Sequence, residues 1–294
     1  QTPSPLYILL HILPCFTTMG LHHFRLFSFL VVFTATAAAS SIDARLLFQV
    51  FQPEPSQLLT YHNGPLLTGN ISVNLIWYGS FKTSQKAIVA DFVTSLSSPA
   101  SKNAPSVSSW WNTIGTYYSN QRRRPKLSLT LGKQISDEKY SLGKALSDRR
   151  ILRLASRGGQ ENAINVVLTA SDVTVNRFCM NRCGTHGYAF GNTKTAARRK
   201  ASRYAYIWVG NSETQCPGLC AWPFHQPLYG PQNPPLVAPN GDVGMDGIII
   251  NLGTLLAGTA TNPFGNGFYQ GPKEAPLEAA SACPGIYGKG AYPG

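Results

Sequence analysis

The chain has 294 residues, 43% of them apolar and 13% charged, the balance of a globular rather than a disordered protein. Its 25 Lys and Arg outnumber 13 Asp and Glu, for a formal net charge of +12. Such a surface attracts polyanions; no nucleic-acid-binding motif accompanies the basic runs, so nucleic acid is not the expected partner.

Residues 1–18 begin without Met and are apolar with three prolines; they read as an upstream extension outside the fold, and Cys15 goes with them. From Met19 a short basic start (Arg25, with His22 and His23) leads into the apolar run Leu26 to Phe33. Ala35, Ala37, Ala38, Ala39 and Ser40 then supply the small residues that signal peptidase needs. Residues 19–40 are therefore expected to be a signal peptide, too short in its apolar core to span a bilayer. The remaining segment, 41–294, is long enough for one large domain. It is expected to be secreted, with no membrane attachment after cleavage.

Leu46 to Gln57 reads as an entry segment and Tyr61 to Pro65 as a turn. Ile71 to Tyr78 alternates apolar and polar residues and predicts a strand, with Asn70-Ile71-Ser72 forming a glycosylation sequon at its start. Ser84 is placed to cap a helix burying Ile88, Phe92 and Leu96. Ser106 is placed to cap a second, with Val107, Trp110, Ile114 and Tyr117 or Tyr118 on one face. Lys126 to Leu131 predicts a strand and Asp137 to Arg153 a helix. The continuous apolar run Ala163 to Thr169 predicts a central strand covered on both faces. Cys179 to Gly191 reads as a cysteine-tied loop, Tyr204 to Val209 as a strand, and Asp246 to Ala257 as a buried helix. Alternating strands and helices argue for a single α/β layered domain with a mixed sheet flanked by helices, and a loop-rich, disulfide-tied second half.

The charge is uneven. Residues 41–203 hold 22 Lys and Arg against 8 acids, whereas 204–294 hold 2 against 5. Clusters lie at Arg122 to Arg124, at Arg149-Arg150 with Arg153 and Arg157, and at Arg198 to Lys200 with Arg203. In a secreted protein they point to an acidic polysaccharide as partner; a merely soluble basic surface is the plain alternative. The cysteines Cys179, Cys183, Cys216 and Cys220 form two CxxxC pairs, which an oxidising compartment turns into disulfides. Local pairing, Cys179 with Cys183 and Cys216 with Cys220, is the expectation. It leaves Cys283 for a segment beyond Gly294. A zinc site recruiting His186 or His225 ranks below this, because zinc knuckles use tighter CxxC spacing.

Three tracts carry a resemblance. They are Leu66 to Gly79, Phe178 to Gly187 (FCMNRCGTHG) and Gln215 to His225 (QCPGLCAWPFH), joined by Asn262-Pro263-Phe264-Gly265-Asn266-Gly267 further on. They resemble the plant EXORDIUM and EXORDIUM-like proteins, the phosphate-induced protein family, over essentially all of 41–294. The resemblance implies an apoplastic, cell-wall-associated protein linked to brassinosteroid-responsive cell expansion and growth; a ligand for a cell-surface receptor is a separate reading that the sequence leaves open. It implies no cofactor and no defined biochemical activity. Members continue past a YPG tract into a further cysteine-containing segment, so the chain is expected to be C-terminally truncated. More distant, mostly microbial relatives carry an HExxE or HExxH zinc-protease-like motif on a helix before an Asn-Pro turn. Here the matching positions fall near Thr254, Leu255 and Gly258, none of which binds zinc, so the resemblance implies a zincin-like scaffold without its metal site. The alternative for the same helix is an ordinary core element.

Catalytic candidates are few. His186 and His225, with Asp242 or Asp246, are the groups from which an acid–base pair or a metal site could be built; His62 is the remaining histidine after residue 40. No GxSxG elbow is present. Trp110, Trp111, Trp208, Trp222 and Tyr229 are aromatics that could stack on sugars. The composite expectation is a non-enzymatic growth regulator of the cell wall, with a hydrolase on a metalloprotease-like scaffold as the enzyme alternative.

Overall fold

The computed structural model describes residues 59–99, 106–118, 125–191, 203–230 and 232–282. The extension 1–18, the expected signal peptide 19–40, the entry segment Leu46 to Gln57 and Cys283 lie outside the described residues. In chain order the elements are β1 (Thr60–Tyr61), β2 (Asn70–Tyr78), α1 (Thr83–Ser95), α2 (Val107–Ile114), β3 (Ser128–Asp137), β4 (Ala145–Leu146), α3 (Asp148–Ala155), β5 (Ala163–Thr169), β6 (Thr174–Val175), β7 (Gly184–Phe190), β8 (Arg203–Gly210), α4 (Pro217–Cys220), α5 (Val243–Thr261) and β9 (Phe268–Tyr269).

The main sheet has the order β3-β2-β5-β8-β7. β2, β3, β5 and β8 run parallel, and β7 closes one edge antiparallel to β8. β5 sits in the middle, and all seven of its residues are buried, as a continuous apolar run covered on both faces requires. Its one strongly polar side chain, Asn165, is satisfied inside the core: Asn74 Nδ2 donates to Asn165 Oδ1 at 2.9 Å, and Asn165 Nδ2 donates to the Gly159 carbonyl. Helices α1, α2 and α5 pack on one another, α5 packs on β7 and β8, and α3 packs on β5 and β8. This is a mixed α/β architecture with a sheet flanked by helices.

Helix α5 is long and apolar enough to cross a membrane, yet most of it is buried within the protein. Its sequence is apolar on all sides because it lies between the sheet, α1, α2 and α4. Asp242 caps its start, accepting from the Met245 N–H at 2.9 Å.

Ser106 caps α2 as expected, and Val107, Trp110, Trp111 and Ile114 are buried. In α1 the N-cap is Lys82 rather than Ser84, and the buried stripe is Val89, Phe92, Val93 and Leu96, with Ile88 half-buried. The predicted helix from Asp137 to Arg153 is corrected. β3 runs to Asp137, a turn follows, and only Asp148–Ala155 is helical. Tyr140 (φ 50°) and Gly143 (φ 77°) take left-handed backbone conformations that no α-helix accommodates. The turn is fixed from the core: the Tyr78 hydroxyl donates to the Gly143 carbonyl and accepts from the Leu142 N–H, each at 2.8 Å. Asp137 accepts from the Ser141 N–H and pairs with Arg157 Nη1 at 2.6 Å.

The expected loop Cys179 to Gly191 is also corrected, since Gly184–Phe190 is strand β7. Its sequence, GTHGYAF, lacks the β-branched enrichment that marks a strand in isolation; pairing with β8 along its whole length imposes the extended form.

Candidate functional site

The four cysteines are all in disulfides, but not with their sequence neighbours. Cys179 is bonded to Cys216 and Cys183 to Cys220, which corrects the local pairing. Cys216 caps α4 and Cys220 ends it. One helical turn directs side chains at i and i+4 to the same side rather than at each other. The Cys179–Cys183 segment lies along that side, so each thiol meets the cysteine of equal rank 37 residues away. The two bonds lock α4 and the approach to β7 together beside α5. With every described cysteine so bonded, a zinc site using these thiols has no ligands.

His186 sits in the middle of β7 and faces the second half of α5. Its Nε2 lies 2.5 Å from Oε2 of Glu278, a residue no sequence pattern had singled out. The other carboxylate oxygen of Glu278 accepts from Asn262 Nδ2 at 2.6 Å, and Asn262 Oδ1 accepts from the Gly267 N–H at 2.7 Å. Both side chains of the pair are mostly covered, 13% and 14% exposed. His186 Nδ1 is buried and has no hydrogen-bond partner among the described residues. A buried lone pair costs less than a buried unpaired N–H, so the tautomer with hydrogen on Nε2, donated to Glu278, fits this site.

The contact is permitted by Gly258 on α5. A Cβ at that position would meet Glu278 Oε2 at 2.6 Å and His186 Nε2 at 3.0 Å. The absence of a side chain is what lets the pair close directly on the helix.

The other candidates are elsewhere. His225 is exposed, and its Nδ1 lies 3.0 Å from the Gln226 carbonyl. Asp242 is the α5 cap and also accepts from Gln85 Nε2 at 2.8 Å. Asp246 is buried on the first turn of α5 and accepts from the backbone N–H and side-chain amide of Asn240. Burial pushes its carboxyl above the ordinary value, with Asp242 adding to the rise, and the Asn240 bonds only partly offset this. Twelve residues of helix, about 18 Å, separate Asp246 from Gly258. The structure therefore does not bring His186, His225, Asp242 and Asp246 together. Among the described residues no group of three or more His, Cys, Asp or Glu side chains is arranged to hold a metal. Of the aromatics, Trp110, Trp111 and Trp208 are core, Trp222 is half-buried and Tyr229 is exposed. His62 is exposed at the end of β1, its ring stacked on Tyr269.

Asn70 is exposed at the first residue of β2. Arg149, Arg150 and Arg153 are exposed along α3, whereas Arg122 to Arg124 and Arg198 to Lys200 lie outside the described residues.

Residues 59–294 match the family model described as the phosphate-induced protein 1 conserved region. Protein EXORDIUM of Arabidopsis thaliana is 62% identical over 278 residues, covering 92% of this chain and 85% of its own length. Protein PHOSPHATE-INDUCED 1 of Nicotiana tabacum is 61% identical over 277 residues, covering 94% and 87%. Protein EXORDIUM-like 1 of Arabidopsis thaliana is 62% identical over 239 residues, covering 80% and 76%. No solved structure matches the chain.

Proposed function

Because the chain belongs to the phosphate-induced protein 1 family, we propose that it is a secreted, apoplastic cell-wall protein that promotes cell expansion and growth in brassinosteroid-responsive regulation, and that it acts by binding rather than by catalysis. The compartment is supported by the leader-like run Met19 to Ser40 and by the disulfide use of all described cysteines. The growth role is supported by the family resemblance.

The observation that carries the non-enzymatic reading is the His186–Glu278 pair. Its two groups spend their hydrogen bonds on each other and on Asn262, and the remaining ring nitrogen is buried. A general acid or base must reach the proton it moves; the one ring nitrogen of His186 left unpaired, Nδ1, is buried, and each Glu278 oxygen already accepts a hydrogen bond. The layout also supports a zincin-like scaffold, with a long helix, α5, lying beside an antiparallel edge strand, β7. On that reading Thr254, Leu255 and Gly258 occupy positions where ligands and a base would stand, and none of the three can ligate zinc. Metal analysis of the secreted protein tests it. Substoichiometric zinc is expected, and stoichiometric zinc lost on His186→Ala or His225→Ala would overturn the non-enzymatic reading.

Exposed Arg149, Arg150 and Arg153 on α3 favour a second, compatible element, binding of acidic wall polysaccharide. Purified protein is expected to be retained on pectin at low ionic strength; failure to bind there removes the polymer from the account.

A further inference from the structure

The two edges of the main sheet are treated differently. The outer edge strand β3 carries Lys133 and Asp137, and its pairing to β2 is broken by a register shift between Val73 and Leu75; charges and irregularities of this kind keep an edge from pairing with foreign strands. β7 has no such guard. Its seven residues contain no Lys, Arg, Asp, Glu or Pro, and Tyr188 and Phe190 are 40% and 64% exposed.

The register tells which backbone groups of β7 are free. Cys183 accepts from the Gly210 N–H, so pairs 183–210, 185–208, 187–206 and 189–204 are the hydrogen-bonded ones. The N–H and C=O groups of Gly184, His186, Tyr188 and Phe190 therefore point away from β8. Among the described residues no backbone group bonds to them, and the Thr185 hydroxyl donates weakly to the His186 carbonyl at 3.3 Å. A groove of about 290 Å³ opens at the start of this edge, between β7, α4 and α5. Leu219, Leu255 and Met180 supply its apolar lining, and Asn181, Asn251, Thr254 and Arg182, the last paired with Asp148, its polar groups. Met180 is 80% exposed, and Gly184, also in the lining, has no side chain; a Cβ there would meet Leu255 Cδ1 at 2.7 Å.

We propose that the outer edge of β7 and this groove form a docking site for an extended polypeptide segment, which adds as a further strand and places an aliphatic side chain between Leu219 and Leu255. Strand addition draws its affinity from main-chain hydrogen bonds and its selectivity from a pocket beside the strand. Both are present here. The net charge of +12, with Arg203 exposed beside Phe190 on the neighbouring strand, favours a segment with acidic flanks. The site does not rest on the wall-polymer reading, which uses α3.

The test takes the secreted protein and a display library of random linear peptides, then measures selected peptides by fluorescence anisotropy and by amide hydrogen exchange. Binding is expected to slow exchange at Gly184, His186 and Tyr188. N-methylation of alternate peptide amides is expected to weaken binding about tenfold or more, while methylation of the intervening amides leaves it unchanged. Thr254→Trp, which fills the groove from α5, and Tyr188→Lys, which places charge on the edge, are each expected to weaken binding about tenfold or more with the thermal transition preserved. Three results overturn the proposal: no peptide selected above background, binding indifferent to the methylation pattern and to both variants, or a dimer dissolved by Tyr188→Lys, which would show a second copy on the edge.

Discussion

His186 and Glu278, 92 residues apart in sequence, meet at 2.5 Å over the bare backbone of Gly258. This contact ties the edge strand β7, the helix α5 and the segment after β9 into one unit, and Asn262 at the C-cap of α5 holds the carboxylate from its other side. The chemistry of the pair is spent on structure.

A double-mutant cycle on His186→Ala and Glu278→Ala should therefore report coupling in stability. Hydrogen bonds to a charged group contribute about 1.5–3 kcal/mol, and a coupling energy of that order is expected from denaturant unfolding. Gly258→Val should separate the pair by occupying its space and destabilise by about 1–3 kcal/mol. Additive single-variant effects would show that the two side chains do not support each other.

Disulfide mapping by proteolysis and mass spectrometry should recover Cys179 linked to Cys216 and Cys183 linked to Cys220. Closing a loop of this length constrains the unfolded chain by about 4 kcal/mol in the chain-entropy description. The paired variant Cys179→Ser with Cys216→Ser should lose less than that, because the neighbouring bond still closes nearly the same loop. Removing both bonds should cost far more than removing either.

Two buried carboxylates should respond to acid in opposite directions. Burial alone would raise Asp137, but bonds from Ser141 and Arg157 outweigh it and hold the carboxyl below its ordinary 3.8. Its folded form thus keeps its charge to lower pH than the unfolded chain, and its stabilisation is present above 3.8 and lost as pH falls through the depressed value. Asp137→Asn should destabilise by about 2 kcal/mol at neutral pH, with the difference from the native chain shrinking on acidification. For Asp246, raised chiefly by burial, the folded state holds its proton to higher pH. Its contribution is favourable below 3.8 and declines as pH rises through the raised value, so Asp246→Asn should flatten that decline. Unfolding free energies measured against pH distinguish the two signs.

Much of this fold is legible in the sequence where the local signal and the packing agree. Ala163 to Thr169 is apolar throughout because β5 is covered on both faces, and Ser106 announces the start of α2 through its own hydrogen bond to the Ser109 N–H. The errors occur where distant residues decide. Leu142 and Leu146 have helical spacing, but the hydroxyl of Tyr78 takes the backbone of Leu142 and Gly143 into a turn. β7 is extended because β8 lies beside it, and its own residues do not require that form. At the site, His186 and the four cysteines stand out by residue type alone. Glu278 does not, since an acid in a loop acquires meaning only from what it touches. The cysteine pairing is not legible in the sequence for the same reason: spacing gives the rank of each thiol, and only the apposition of two segments gives its partner.

Glycosylation at Asn70 is a direct check on the expected compartment. The side chain is exposed at the start of β2. Protein recovered from plant extracellular fluid should shift to higher mobility on treatment with an N-glycosidase, and Asn70→Gln should already run at that position.

The central claim is that this protein promotes growth by binding, without a catalytic centre. The most direct measurement is cell length in seedlings expressing the native chain or its His186→Gln variant, each confirmed as folded and present in extracellular fluid. The account predicts elongation by both to the same degree. Elongation by the native chain but not by an equally abundant, folded His186→Gln protein would contradict it.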